Sequence, residues 1–322
     1  MKRIIWLFIA IIVAVVLWSA AWLFLAGEVR SNIAALADAD GVTTPRFSCE
    51  TLNVSGFPFR FDADCSNGRL VDGDVAVDVA GLRASVLVYR PTHVVASALG
   101  PIKIVDAFTG SRSAVTFSGL EASARLDGWR IARVSVSGHD LKWSDTLMGE
   151  QLIAQSALVD LQLGDIPEQH DADRGLAALA GYLQARDLVI PGFTIADGSA
   201  AVEVEVSGLP DDVRLLGEPD ALLRWRAADG QLKLVSARAT DGDSDLTASG
   251  NLALDPQGLL DGQVSITSTQ VAERIGPYIA EPFRTIVLGN PAADGRYANV
   301  LNFRAGTIYS GLIPIGMVPP LF

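Results

Sequence analysis

The chain has 322 residues and a formal net charge of −12, with 25 lysines and arginines against 37 aspartates and glutamates. Its cations are not clustered, which excludes a nucleic-acid partner gripped through phosphates and disfavours tight adhesion to an anionic lipid surface. Alanine, valine, leucine and glycine are plentiful, so a large apolar core is within reach of about 295 residues beyond the amino-terminal segment.

Residues 4–26 run without a charge, a proline or a glycine, and Lys2 and Arg3 precede them. As a helix the run reaches about 35 Å at ~1.5 Å per residue, enough to cross a hydrocarbon core of about 30 Å. The basic pair marks residues 1–3 as a cytoplasmic tail and sends the remainder across. This predicts a single-pass inner-membrane protein with a periplasmic body, held in the lipid bilayer through residues 4–26. Trp6, Trp18 and Trp22 lie toward the ends of the span. A cleaved secretory signal is the competing reading; its apolar stretch is usually about 7–15 residues and closes on a small-x-small site. Here Ser19-Ala20-Ala21 is followed by Trp22-Leu23-Phe24-Leu25, which prolongs the apolar stretch instead of ending it.

Residues 27–40 predict a short helix leaving the membrane, with Val29, Ile33 and Leu36 on one side and Asp40-Gly41 as a stop. Next, Phe57, Phe59, Phe61, Ala63 and Cys65 alternate with Arg60, Asp62 and Asp64, the pattern of a half-buried strand. A reversal over residues 55–59 pairs positions whose numbers sum to 114, which sets Cys49 opposite Cys65. Opposed Cβ atoms lie about 4.5–5.5 Å apart, within local adjustment of disulfide geometry. In an oxidising compartment the pair is expected to bond, stabilising the fold by about 3 kcal/mol in the entropy model; two buried thiols are the alternative.

Further strands are predicted at 75–79, 82–89, 115–126, 131–137, 158–163, 201–206, 222–225, 232–237, 246–254 and 262–268. Their turn signals recur at roughly 8–12 residues, as in a meandering antiparallel sheet. Two interruptions read as helices. Residues 173–186 carry Leu176, Leu179, Ala180 and Leu183 at helical spacing, with Asp171 or Asp173 as cap; residues 270–280 are a weaker candidate, broken by Gly276-Pro277. The predicted class is mainly β: an extended, curved antiparallel sheet, an open barrel or groove, with a few short helices. The acidic stretch 165–173, containing Pro167, is the expected boundary between a sheet half at 41–165 and a helix plus sheet half at 166–322.

No constellation points to catalysis. Gly242-Asp243-Ser244 resembles an esterase block, but a strand follows the serine and no histidine lies beyond His170. The alternating carboxylates from Asp241 to Asp245 resemble a calcium loop, yet Leu246 stands where that loop needs glycine and Leu252 where it needs glutamate. A polar hairpin turn is the ordinary reading. His93, His139 and His170 are scattered, with no metal-ligand spacing. Phosphate-cradling and dinucleotide fingerprints are absent, and Asp211-Asp212 has the weight of chance in so acidic a chain. These readings predict a non-enzyme without cofactor or metal.

Three segments are more distinctive. Val54-Ser55-Gly56-Phe57-Pro58-Phe59-Arg60-Phe61, the run from Leu246 to Gly262, and the run from Leu301 through Gly306, Gly311 and Pro314 to Ile315 each read as strand, glycine-bearing turn, strand. With the amino-terminal anchor, this ordered set resembles an uncharacterised bacterial envelope family, domain-of-unknown-function family 2125, over nearly the whole chain. Gly56, Phe57 and Pro58, and Gly306, Gly311 and Pro314, are its turn positions. The second and third segments are also similar to AsmA-like groove proteins of the Gram-negative envelope. That wider resemblance implies an inner-membrane anchor, a sheet bent into a trough and handling of phospholipids; this chain is far shorter than the bridging members.

A lipid trough needs strands apolar on more than one side. Val86 and Val88, Leu188 and Ile190, and Ile313 and Ile315 lie in such strands and are the candidate lipid-facing residues; a closed sandwich core is the competing account of the same pattern. Val318-Pro319-Pro320-Leu321-Phe322 is expected to finish as a packed or edge segment. Two functions remain: binding or transfer of phospholipid acyl chains, or a scaffold that holds other envelope proteins by sheet edges and acidic surface.

Overall fold

The computed structural model describes residues 2–271 and 283–322. They are mainly β, with sixteen strands in one antiparallel sheet, a long apolar helix at the amino end and few short helices. The chain divides into two compact units, residues 1–123 with 144–151 and residues 124–143 with 152–322; the acidic stretch 165–173 lies inside the second.

The first unit opens with α1 (Lys2–Ala35), which continues as one 3-10 turn at Leu36–Asp38. The exit helix expected at 27–40 is therefore the end of α1 itself, because nothing between Ala26 and Ala35 breaks a helix except the single tolerated Gly27. The stop falls where expected. The Asp40 carboxylate accepts the N–H groups of Val42, Thr43 and Thr44 and the Thr43 hydroxyl, and these bonds hold it well below the usual carboxylate range. Strands β1 (Arg46–Ser55), β2 (Arg60–Asp72), β3 (Val75–Leu87), β4 (Arg90–Asp106) and β5 (Arg112–Thr116) follow, each paired with the next. The two strands expected at 75–79 and 82–89 are thus one, whereas 115–126 is split, with β6 (Gly119–Asp127) starting afresh.

Register gives this sheet two unlike faces. Val54, Ala63, Ala84 and Ala96 stand opposite one another strand by strand, as do Phe61, Val86 and Val94. The other face carries Arg83 bonded to Asp64, Arg69 to Asp78, and Ser85 to Asp62.

Cys49 and Cys65 form a disulfide, with their Cα atoms 5.5 Å apart. The register that suggested it is corrected. Paired numbers sum to 117 and not 114: Cys49 faces Gly68 and Cys65 faces Leu52. The reversal occupies residues 56–59, closed by Arg60 N–H donating to the Gly56 carbonyl, because Pro58 has no N–H with which to start a ladder. The bridge runs diagonally: Asn67 takes φ +46° between Cys65 and Gly68, and a side chain on Gly68 would lie 3.3 Å from Cys65 Sγ.

The second unit holds most of β7 (Arg130–Asp145) and β8 (Gln151–Asp165), then β9 (Leu176–Ile190), β10 (Ile195–Pro210), α2 (Ala221–Ala227), β11 (Gln231–Asp241), β12 (Ser244–Leu254), β13 (Leu260–Thr269), α3 (Phe283–Leu288), β14 (Arg296–Arg304), β15 (Thr307–Ser310) and β16 (Ile313–Met317). From β8 onward each strand pairs with its successor.

Two expectations are overturned here. Residues 173–186 are not a helix but contain most of β9, hydrogen-bonded on both sides by β8 and β10. Ala177, Ala178 and Leu179 are buried in succession, so a strand covered on both faces mimics helical spacing, and tertiary pairing overrides the helix propensity of alanine. Conversely 222–225, read as a strand, lies within α2, where Arg224 Nε donates to Asp220 one turn earlier. Four residues are too few to show a period. The helix candidate at 270–280 lies almost wholly outside the described residues.

Candidate functional site

Along β10 to β13 the register lines up Val204, Leu234, Gly250 and Val264, then Val202, Ala237, Ala248 and Ile266, then Val206, Leu232, Leu252 and Gly262. All are on one face, and all are half-buried. The intervening residues Glu203, Glu205, Lys233, Arg238, Asn251 and Gln263 face the other way, with Lys233 Nζ paired to Glu205 Oε2 at 2.9 Å. This is an amphipathic sheet whose apolar side is incompletely covered: among the described residues of the unit only Ala177, Ala178, Leu179 and Leu288 are buried apolar side chains.

Both ends of that face open into apolar cavities. One, of about 180 Å³, is walled by Leu188, Phe193, Ile195, Ala239 and Leu246. The other, of about 370 Å³, is walled by Val206, Leu222, Trp225, Leu232, Leu252 and Leu321. Helix α2 roofs the second. Its Trp225 Nε1 donates to the Ser207 carbonyl at 2.7 Å, and the indole lies so close on Gly230 that any side chain there would meet it at 2.2 Å. The floor is closed by the chain terminus, where Leu321 N–H donates to the Gly258 carbonyl. Leu246 and Leu254 mark the two cavities on β12, about 26 Å apart at ~3.3 Å per residue. One leaflet's acyl layer is about 15 Å, half of a ~30 Å core, so the stripe is longer than one acyl chain is deep in a membrane.

The candidate residues scatter. Leu188 lines the first cavity, and Ile190 ends the same strand opposite Ile195. Ile313 is exposed on β16, and Ile315 is the extra residue of a bulge there. Val86 and Val88 stand in the first unit, where Val86 pairs with Val94 on the apolar face and Val88 packs against Trp22, Ala26 and Val54. The turn positions do structural work. Gly306 takes φ +74° in a two-residue hairpin with Ala305, its N–H donates to the Leu260 carbonyl and its carbonyl accepts from Val318. Pro314 pairs with Tyr309 at the bulge.

Polar groups make local contacts only. His93 Nε2 lies 3.0 Å from Ser123 Oγ, and His170 Nε2 3.4 Å from Asp211 Oδ2. Asp241 to Ser244 is a tight hairpin turn between β11 and β12. Among the described residues no three His, Cys, Asp or Glu side chains converge on a metal-sized site. Bonds from Ser137, and then Gln184, hold the Asp160 carboxyl below the usual range, and Arg214 does the same for Asp212 while stacking over Trp129 at 4.2 Å.

Sequence reasoning missed the contact that closes the first unit. Trp22 stacks on Phe61 with ring centroids 5.4 Å apart and meets Phe57 edge-on at 5.6 Å; it is 7 % exposed. Its Nε1 donates to the Arg60 carbonyl, and Trp18 Nε1 to the Pro58 carbonyl. The signal was present as two tryptophans four apart on a helix and aromatics at every second position of the hairpin.

The family model described as an uncharacterised protein conserved in bacteria, DUF2125, matches residues 22–319. No curated protein and no solved structure matches the chain, and the expected likeness to AsmA-like groove proteins is not shown.

Proposed function

The chain belongs to the bacterial family DUF2125, and from that premise we propose that it is a membrane-anchored, non-enzymatic protein of the cell envelope whose second unit binds lipid acyl chains. One observation carries the reading: an apolar sheet face left half-exposed from β10 to β13, with an apolar cavity at each end. Burying apolar surface stabilises by about 25 cal/mol per Å², so an open face of this kind favours an apolar occupant. Anchoring by α1 is supported by its length and composition, retention of that helix by the packing of Trp18 and Trp22 on the hairpin, and a periplasmic body by Lys2 and Arg3 before the span and by the disulfide.

The test is mass spectrometry of lipids that stay with the full chain through extensive detergent washing, compared with Val204→Asp and Leu252→Asp. Retained phospholipid or fatty acid in the parent chain, lost in both variants, is expected; equal lipid in all three sinks the reading. A protein-scaffold role has one observation of its own. β16, the last strand of the sheet among the described residues, exposes Ile313 and Met317 beside its unpaired edge, with exposed Leu312 just before it, the form in which a partner strand is added.

A further inference from the structure

We infer that the β1–β2 hairpin tip, residues 56–59, together with Tyr89 at the β3–β4 turn, sits inside the bilayer leaflet distal to Lys2 and Arg3. The protein then holds its membrane by two devices, a span and an aromatic wedge. The inference rests on reading α1 as a span.

Depth is set by the helix. Arg3 and Glu28, the charges that bracket the span, are about 37 Å apart along a helix axis at ~1.5 Å per residue. A ~30 Å hydrocarbon core centred between them puts Trp18 about 11 Å inside the distal boundary and Trp22 about 5 Å inside. Those two residues hold the hairpin: Trp18 Nε1 donates to the Pro58 carbonyl at 3.0 Å and Trp22 Nε1 to the Arg60 carbonyl at 3.1 Å. The tip is fastened to the span at a level where the surrounding solvent is lipid.

Its chemistry suits that level. Phe57 is 52 % exposed, Phe59 61 % and Tyr89 67 %; three aromatic side chains more than half exposed are a liability in water and the usual composition of a membrane interface. Backbone groups tell the same story independently. Hydrocarbon tolerates a non-helical turn only if its polar groups find partners within the protein. The Gly56 carbonyl accepts from Arg60 and the Phe59 carbonyl from Val88, the Pro58 and Arg60 carbonyls accept from the two indoles, and Pro58 has no N–H to satisfy. Arg60, paired with Asp62 at 2.6 Å and with a long exposed side chain, is placed to reach the headgroups, as flanking arginines do.

The full chain, reconstituted in phosphatidylethanolamine–phosphatidylglycerol vesicles, tests this with a fluorescent amino acid introduced singly at Phe59, Tyr89, Val15 or Phe108. Spin-labelled lipids carry the quencher at the headgroup, at a shallow or at a deep acyl position. Val15 marks the middle of the span; Phe108 follows the far end of β4 and reports water. Emission lost at Val15 to the deep quencher, and at Phe59 and Tyr89 to the acyl quenchers more than to the headgroup one, with Phe108 unaffected, is the expected result. Val15 quenched while Phe59 and Tyr89 behave like Phe108 overturns the wedge and leaves the span intact. An unquenched Val15 removes the span, and the wedge with it.

Discussion

The two units build the same kind of sheet and finish it differently. In both, the antiparallel register puts apolar side chains on one face and ion-paired or hydrogen-bonded residues on the other. In the first, the long apolar helix α1 itself supplies cover: its Trp22 and Ala26 are buried against Val54, with Phe61 and Val88 around them. In the second, among the described residues, only short pieces cover the face, with α2 and the last residues at one end and Leu288 of α3 buried, and two apolar cavities remain. An amphipathic sheet does not declare whether it is a core or a binding surface. The covering element decides that, and among the described residues the first unit's face has its lid in the same chain while the second unit's has fragments of one.

The sharpest way to break the comparison is to remove the lid. Trp22→Ala is expected to cost about 3 kcal/mol, the low end for a buried large aromatic, and to do so in the first unit alone; hydrogen exchange resolved by strand should show β1 and β2 losing protection while β11 to β13 keep theirs. Equal loss in both would mean that the units do not fold as separate bodies. Reducing the disulfide, or Cys49→Ser with Cys65→Ser, should cost nearly as much, about 3 kcal/mol for a loop of this size, read as a lower denaturation midpoint confined to the same strands. Trp225→Ala, which unroofs the second cavity, should cost less, about 1–2 kcal/mol, because the indole is only half-buried. It should reduce retained lipid more than it reduces stability.

The smallest effects separate how turns are held. Asp106 has its carboxyl lowered by Thr109 in the first unit, whereas Arg214 lowers Asp212 and Arg224 lowers Asp220 in the second. A depressed carboxylate contributes stability that is present above its unfolded value, near 3.8, and is lost as pH falls through the folded one. Unfolding midpoints should therefore be flat from neutral pH to about 5 and fall only below about 4. Added salt at neutral pH should weaken the two arginine-paired sites and spare the threonine-bonded one, detectable as local exchange at α2 but not at residues 106–111.

Much of this was legible in the residues. Period-two alternation located most strands, since a half-buried strand must alternate, but it passed over β4 (Arg90–Asp106). The long apolar helix announced itself by length. What failed did so where local pattern and tertiary pairing disagree: in β9 the run Leu176-Ala177-Ala178-Leu179 is apolar on both faces and counts equally well at helical spacing, and α2 is too short for its period to be seen. The hairpin register slipped by three because Pro58 delays the ladder to Arg60, and the disulfide was anticipated through the wrong pairing, rescued by the left-handed Asn67. The lining of the cavities was the least visible part. Leu188 was named because consecutive apolar residues marked its strand, but Trp225 and Leu321 reach the same sheet from a helix and a terminus, and no spacing rule joins residues so distant.

The central claim is that the apolar face of β10 to β13 is an acyl-chain surface and not an unfinished core. Val264 and Gln263 are neighbours in β13 that point to opposite faces, so a photoreactive amino acid at each position, in the full chain in native membranes, reads the two faces from nearly the same place. Lipid adducts from position 264 and none from 263 are predicted. Adducts from neither position, in a chain whose strands retain their exchange protection, would contradict the claim.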